Sequence, residues 1–257
     1  MRVTACELSN DSKQFEKDWD QLVAHCQSNR SELVLLSEMP FHPWIANQAS
    51  VDDSLKDAAV QAHEEWLQRI DELGDAIVAY SKPWIQEDKF FNTAYIWTKE
   101  TGHLKAHTKY FFPEEDVFYE DTWFDREPKH FELIEVRGVK LGFLLCTELW
   151  FTEYARKYGL EGVDLLLCPR ATGASSVAQW TRAGQTLSVI SGAYCLSSNR
   201  AGLGEDNFKR GGTGWIAQPM DGALLGTTSD ENPFLTLELD LTRAKLAKKE
   251  YPLYVND

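Results

Sequence analysis

The sequence of 257 residues is poor in cysteine, in positive charge and in long apolar segments. Its five cysteines, at positions 6, 26, 146, 168 and 195, form no CxxC pair. Such an odd, scattered set is typical of free thiols in a reducing compartment rather than of a disulfide framework. No apolar run approaches the ~20 residues that a membrane span needs. The first residues, MRVTACELSND, lack the basic start and apolar stretch of a signal peptide. We therefore expect a cytoplasmic protein with no membrane contact.

The balance of charge and the motifs that are missing exclude several classes of function. Lys and Arg number 26 against 40 Asp and Glu, a net charge of −14, and no basic run offers a surface for nucleic acid. The six histidines all precede residue 131 and form neither HExxH nor a Cys/His set, so we expect no metal. No GxSxG or P-loop sequence is present either, and we expect no cofactor.

What the sequence does contain is ordinary globular composition, with 43% hydrophobic and 26% charged residues. No linker or repeat divides the chain, so we expect a single domain spanning residues 1–257. Apolar periodicity predicts helices over 12–28, 52–73, 151–159 and 176–191. It predicts strands at 2–8, 32–37, 75–81, 92–98, 103–108, 163–168, 193–198, 214–219 and 234–241, with a hairpin around Gly138. Strands that alternate with helices and hairpins predict an α/β layered fold with mixed sheets, which two sheets packed back to back would satisfy.

Three reactive side chains stand where apolar strands end, the usual position of ligand sites in α/β sheets. Glu38 follows ELVLLS, Lys109 follows HLKAHT and Cys146 follows VKLGFLL. Each has an ordinary structural interpretation: a solvated acid, a lysine with its charge in water, and a small buried thiol, as for Cys168 at the end of VDLLLC. Together, an acid, an ammonium and a thiol suit acyl transfer. A helix start and a nearby cation would also lower the pKa of the Cys146 thiol.

The surroundings of these three residues resemble motifs of the nitrilase (carbon–nitrogen hydrolase) superfamily. ELVLLSEMPF, KAHTKYFFPEED and GFLLCTELWFTEYAR resemble its three motifs in order and spacing, and LLLCPRATG and SSNRAG resemble its later segments. The resemblance implies a four-layer αββα sandwich with two mixed β-sheets, and assembly into a homodimer or a higher homo-oligomer. This sequence departs from the family pattern at Ser37, Glu148 and Gly214, where Pro, Asp and Ser are common.

The resemblance also implies a role for each residue of the motifs. Glu38 would be the general base, Cys146 the nucleophile and Lys109 the cation beside the oxyanion. The backbone N–H of Thr147 would complete the oxyanion hole. Glu120 is similar in setting to a second acid that positions the lysine and the substrate.

Glu114 and Glu115 compete with Glu120 for the role of the second acid. Further pocket residues implied by the resemblance are Trp150, Arg170, Ala171 and Thr172. Of these, Arg170 either grips a substrate carboxylate or is a solvated loop cation.

The favoured function is a cysteine amidase that cleaves a small linear carboxamide through a thioester, with a small amide or nitrile as its partner molecule. A nitrilase or an N-carbamoyl-amide hydrolase with the same three residues is an alternative. A catalytically silent, nitrilase-like binding or regulatory protein is a second alternative, against which the intact Glu, Lys and Cys argue.

Overall fold

A computed structural model describes residues 1–204 and 206–255. The helices are α1 Ser12–Asn29, α2 Asp53–Leu67, α3 Glu120–Trp123, α4 Thr152–Leu160, α5 Val177–Ser191 and α6 Thr242–Ala247. The strands of the first part of the chain are β1 Arg2–Ser9, β2 Leu33–Leu35, β3 Ile77–Gln86, β4 Lys89–Thr98, β5 Gly102–Thr108, β6 Glu114–Glu115 and β7 Phe118–Tyr119. Those of the second part are β8 Ile134–Val136, β9 Val139–Phe143, β10 Leu165–Arg170, β11 Tyr194–Leu203, β12 Lys209–Gly211, β13 Trp215–Ala217, β14 Leu224–Thr227 and β15 Phe234–Glu238.

Thirteen of these strands form two mixed halves of one large sheet, and β6 and β7 form a separate two-stranded sheet. The first half runs β5-β4-β3-β2-β1-β15, in which β1, β2 and β3 are parallel and the other pairs are antiparallel. In the second half β9, β10 and β11 are parallel, and β8, β12 and β13 pair with them in antiparallel fashion. Strand β1 belongs to both halves, because its last residues, Glu7 to Ser9, pair in parallel with β11.

Alternation of side chains along the strands builds four layers. In β1 the side chains of Val3 and Ala5 lie in a central core, whereas those of Cys6 and Leu8 contact helices. This alternation follows from the two-residue repeat of a strand. The central core joins apolar residues of both halves, and each half carries a separate apolar layer against its own helices. The order of layers is therefore helix, sheet, sheet, helix, and the predicted αββα architecture is confirmed.

Helix α1 shows why the predicted helices form where they do. The Asp11 side chain accepts the backbone N–H of Gln14 and so satisfies one of the unpaired donors at the helix start. Phe15, Trp19 and Leu22 then repeat at helical spacing and are buried against the first half of the sheet. A strong start signal and a clear apolar stripe make this helix readable from the sequence.

The structure differs from the expected elements in a few places. The helix predicted over 52–73 ends at Leu67, and a separate 3-10 turn covers Ile70–Leu73. The two expected sheets are hydrogen-bonded into one through the end of β1. Elements without a long apolar pattern, such as α3, α6 and the hairpin of β6 and β7, were not predicted. Among the described residues no helix is both long and apolar enough to cross a membrane.

Candidate active site

Glu38 lies three residues beyond β2, at the carboxyl end of the first half of the sheet. Its backbone N–H donates to the carbonyl of Arg170 at 3.2 Å, so the other half of the sheet holds it in place. The guanidinium of Arg200 donates to the carbonyl of Glu38 at 2.9 Å. The side chain is fully buried. The acid is therefore fixed by both halves of the fold rather than solvated at a loose strand end.

Lys109 follows β5 and makes two buried ion pairs. Its Nζ lies 2.8 Å from Oε1 of Glu38 and 2.6 Å from Oε2 of Glu120. The side-chain amide of Asn92, in β4, donates to the same Oε1 of Glu38 at 2.8 Å. The second oxygens, Glu38 Oε2 and Glu120 Oε1, have no hydrogen-bond partner among the described residues. Each is thus an acceptor available to a molecule bound beside them.

The electrostatics of the cluster follow from two acids and one ammonium in a buried space. Burial opposes the charge of Lys109, but the attraction of Glu120 and Glu38 more than offsets it, and the pKa of Lys109 rises above its usual value. Burial raises the pKa of Glu120 to about 8, although Lys109 acts in the opposite direction. Lys109 therefore stays charged in this cluster.

Cys146 follows β9 and starts a 3-10 turn, Cys146–Trp150, with a backbone φ of 48°. That left-handed conformation is uncommon for a residue with a side chain, and such strain clusters at functional sites. The side chain of Cys146 is buried and lines the same cavity as Glu120, which contacts Lys109 and through it Glu38. The expected lowering of its pKa is wrong: burial and the charge of Glu38 raise the pKa of the thiol, because they outweigh Lys109.

A cavity of about 70 Å³ opens on this cluster. It is lined by Pro113, Glu115, Phe118, Glu120, Cys146, Thr147, Ala171, Thr172, Gly173, Ser176 and Trp180. The side chains of Glu38 and Lys109 are fully buried and contact Glu120 or one another rather than lining the cavity. Five of the expected site residues thus line one cavity: Glu120, Cys146, Thr147, Ala171 and Thr172.

Two expected pocket residues lie elsewhere. Arg170 is fully buried, and its guanidinium donates to Ser197, Thr172 and the carbonyl of Thr213 at 2.7 to 2.9 Å. These donors are engaged within the fold, so the structure supports neither expectation for Arg170, a grip on a substrate carboxylate or a solvated loop cation. Trp150 is 48% exposed and lies on a neighbouring groove, where its ring contacts that of Trp180.

The three candidates for the second acid occupy different places. Glu114 accepts hydrogen bonds from the backbone and hydroxyl of Thr122, at 3.1 and 2.6 Å. Glu115 is exposed and lines the cavity. Only Glu120 of these three contacts Lys109.

Among the described residues no group of three His, Cys, Asp or Glu side chains is arranged to hold a metal ion.

Comparison with known proteins gives a family for this site. The family model described as carbon–nitrogen hydrolase matches residues 2–249. The chain belongs to the carbon–nitrogen hydrolase family. It is 21% identical over 252 residues to N-carbamoylputrescine amidase of Arabidopsis thaliana, which covers 91% of this chain and 84% of that protein.

Two solved structures share the carbon–nitrogen hydrolase fold seen here. A carbon–nitrogen hydrolase from Helicobacter pylori G27 has a TM-score of 0.85 at 20% identity, covering 99% of this chain and 94% of the other. A variant of the amidase from Nesterenkonia sp. AN1 has a TM-score of 0.76 at 18% identity, with coverage of 95% and 92%. Its structure shows covalent addition of the acetamide moiety of fluoroacetamide at the active-site cysteine.

Some residues of this hydrolase site had not been predicted from the sequence. Asn92 lies in β4 directly after Phe90 and Phe91, and an amide in such a place is the signal that could have marked it, because its full burial requires a hydrogen-bond partner. Trp180 and Phe118 supply the aromatic walls of the cavity. They come from α5 and the β6–β7 hairpin, and no local pattern in the sequence assigns them to a site.

Proposed function

We propose that this carbon–nitrogen hydrolase is a cysteine amidase that converts a small linear carboxamide and water to the acid and ammonia. The observation that carries the proposal is one buried ammonium in contact with two buried carboxylates, at 2.8 and 2.6 Å, beside a cysteine with positive φ. A buried charge cluster of this kind is costly to fold and is retained where chemistry needs it. The cavity of about 70 Å³ suits a small substrate.

In the acylation step, Glu38 removes the thiol proton of Cys146 as the sulfur attacks the amide carbon. Burial raises the pKa of the Cys146 thiol, so at rest the sulfur holds its proton and the base must act with the substrate present. The unbonded Oε2 of Glu38 is the available acceptor. The ammonium of Lys109 and the backbone N–H of Thr147 would hold the oxyanion.

Collapse of the tetrahedral intermediate then breaks the carbon–nitrogen bond. The leaving nitrogen takes the proton from Glu38 and departs as ammonia, leaving a thioester on Cys146. Glu38 next removes a proton from water, which attacks the thioester carbonyl in the same oxyanion site. The acid is released, and the proton returns to the thiol. Glu120 would orient Lys109, and its unbonded Oε1 would accept an N–H of the amide.

Replacement of the proposed nucleophile tests the assignment, with a buried cysteine of the neighbouring strand as the control. Cys146→Ala is expected to abolish ammonia release, whereas Cys168→Ala, which changes a buried thiol within β10, is expected to keep it. Mass spectrometry after mixing with a candidate amide should place the acyl adduct on the peptide that contains Cys146. Ammonia release by Cys146→Ala at the wild-type rate would show that the nucleophile is wrong.

The charge of the cavity favours neutral or cationic substrates over carboxylates. Its lining residues include Glu115 and Glu120 but no lysine or arginine, and Arg170 is engaged within the fold. A substrate carboxylate that lies away from Lys109 would therefore meet the negative charge of Glu115 without a positive partner. We expect 4-aminobutanamide and butanamide to be hydrolysed with at least tenfold higher kcat/KM than succinamate. Glu115→Gln should narrow that ratio, and a preference for succinamate would contradict the reasoning.

Hydrolysis of an N-carbamoyl amine is a second candidate. The similarity to the N-carbamoylputrescine amidase of Arabidopsis thaliana supports it, and the carboxylate of Glu115 would suit the positive end of such a molecule. The same nucleophile, base and ammonium would act on the carbamoyl carbon. A panel of simple amides, N-carbamoyl amines and nitriles separates this candidate from the first by relative kcat/KM.

We further propose that residues 1–257 form a single domain that acts in the cytoplasm as a homo-oligomer. The single central core shared by both halves supports the first point. Five free, buried cysteines support a reducing compartment. The exposed ring of Trp150 and its neighbouring groove support self-association. Light scattering of the purified protein measures the assembly.

A further inference from the structure

A third buried carboxylate, that of Glu148, lies beside the proposed site and takes no part in the steps above. Its Oε1 accepts the backbone N–H of Tyr110 at 2.7 Å. Its Oε2 accepts the backbone N–H of Leu145 at 2.9 Å and lies 2.7 Å from Nε2 of His107. The side chain is fully buried. One planar group thus joins three points of the chain, and both of its oxygens are occupied.

Both backbone groups that donate to the Glu148 carboxylate lie directly next to residues of the proposed site. Tyr110 directly follows Lys109, and Leu145 directly precedes Cys146. Glu148 therefore joins the backbone beside the ammonium to the backbone beside the sulfur through two hydrogen bonds. These two backbone segments come from different halves of the sheet, at the ends of β5 and β9. The carboxylate is a short rigid link across that boundary.

His107 supplies a positive charge that stabilises the buried carboxylate of Glu148. Its Nδ1 lies 2.9 Å from the carbonyl of His130, and its Nε2 faces the Glu148 carboxylate. Both partners are acceptors, so an imidazolium that donates from both nitrogens satisfies the arrangement. Burial opposes that charge, but Glu148 more than offsets it and raises the pKa of His107. The ring of Phe131 packs at 4.6 Å and excludes water on one side.

We propose that Glu148 is a positioning residue, held by His107, that sets the distance between the ammonium of Lys109 and the sulfur of Cys146. The inference rests on the proposed amidase function and adds a residue that the proposed steps leave out. Displacement of a reacting group by about 1 Å can lower a rate by about a hundredfold. Loss of the link should therefore reduce kcat and leave substrate binding largely intact, since Glu148 does not line the cavity.

The test compares two buried acids that each accept a hydrogen bond from a backbone N–H next to β9. Glu148→Gln places an NH₂ group against donors at the Cys146 end of β9. Asp164→Asn makes the same change at the other end, where Asp164 accepts the backbone N–H of Lys140 at 3.0 Å. For Glu148→Gln we expect kcat to fall about 10- to 100-fold with KM changed less than about threefold. Asp164→Asn should keep kcat within about twofold at a similar loss of thermal stability.

Two further measurements keep the test decisive if Glu148→Gln folds poorly or if the best substrate is slow. His107→Gln retains an N–H donor for Glu148 and should recover most of the kcat that His107→Ala loses. The rate of Cys146 alkylation by 2-chloroacetamide, followed by mass spectrometry, should fall in the same order as kcat.

Folded Glu148→Gln with wild-type kcat and alkylation rate would overturn the proposal. So would losses that match those of Asp164→Asn, because they would mark a general effect on stability. If Cys146→Ala retained activity, the amidase assignment itself would fail, which is a separate result from either outcome at Glu148.

Discussion

Replacement of Lys109 by methionine perturbs the proposed site at its only ammonium. Methionine keeps most of the side-chain length but removes the charge that contacts Glu38 and Glu120 at 2.8 and 2.6 Å. All three side chains are at most 1% exposed, so water cannot replace the lost partner. Removal of one member of a buried ion pair costs about 3–5 kcal/mol of unfolding free energy, and we expect Lys109→Met to fall in that range.

The loss of unfolding free energy in Lys109→Met should depend on pH, and the electrostatics of Glu120 predict the direction. Burial raises the pKa of Glu120 to about 8, and loss of the ammonium that opposes this effect raises it further. The folded variant then binds more protons than the unfolded chain between about pH 4.5 and the folded pKa. Its stability therefore falls as pH rises through that interval. Wild type shares this decline up to about pH 8, so the two proteins diverge above that value, and the variant should be closer to wild type at about pH 7 than at about pH 9.

The assay is urea unfolding at both pH values, together with amide hydrolysis. The matched control is Lys105→Met, four residues earlier on β5, where the ammonium pairs with Glu127 at 2.6 Å but is 39% exposed. An exposed pair contributes about 1 kcal/mol or less, so this control should stay close to wild type. For Lys109→Met, kcat should also fall at least about a hundredfold, as for loss of an oxyanion donor. Equal effects of the two substitutions, or a larger loss of stability at about pH 7 than at about pH 9, would refute the reasoning.

Three further outcomes are expected. His107→Gln should flatten the pH dependence of stability, because the raised pKa of His107 contributes stability that is complete below about pH 6.5 and is lost as pH rises through the folded pKa; urea unfolding across pH 5.5 to 9 measures it. Gly184→Ala should lower the unfolding free energy by about 1–3 kcal/mol despite better helix propensity, since the new Cβ would overlap the buried indole ring of Trp215; an unchanged melting temperature would contradict it. Asn92→Ala should lower kcat about tenfold by removing a hydrogen bond of about 1–2 kcal/mol to Glu38, and steady-state kinetics at saturating amide tests this.

The layered fold was predictable because its elements carry long apolar patterns. Helix α1 has an aspartate cap and an apolar stripe, and its predicted range of 12–28 differs from Ser12–Asn29 by one residue. Short elements such as β14 and the β6–β7 hairpin carry no such pattern, since their residues are largely exposed. Their formation depends on contacts with distant segments, which periodicity does not record.

For the site, the sequence identified the ends of strands but not the environment of each side chain. Cys146 and Cys168 look alike in the sequence, and the structure separates them by the φ of 48° at Cys146 and by the cavity it lines. The family resemblance implied that Arg170 lies in the substrate pocket. Its guanidinium instead lies 4.0 Å from the ring centre of Trp215, which comes from a strand some 45 residues further along the chain. The partners of a buried cation come from the tertiary fold, so local sequence does not reveal them.

The double pairing of β1 has a consequence for how the molecule works. Glu38 and Lys109 come from one half of the sheet and Cys146 from the other, and a single strand is hydrogen-bonded into both. Neither half can swing or slide away from its counterpart unless that strand is torn from its neighbours. We therefore expect the proposed catalytic cycle to need no hinge motion between the two halves of the sheet.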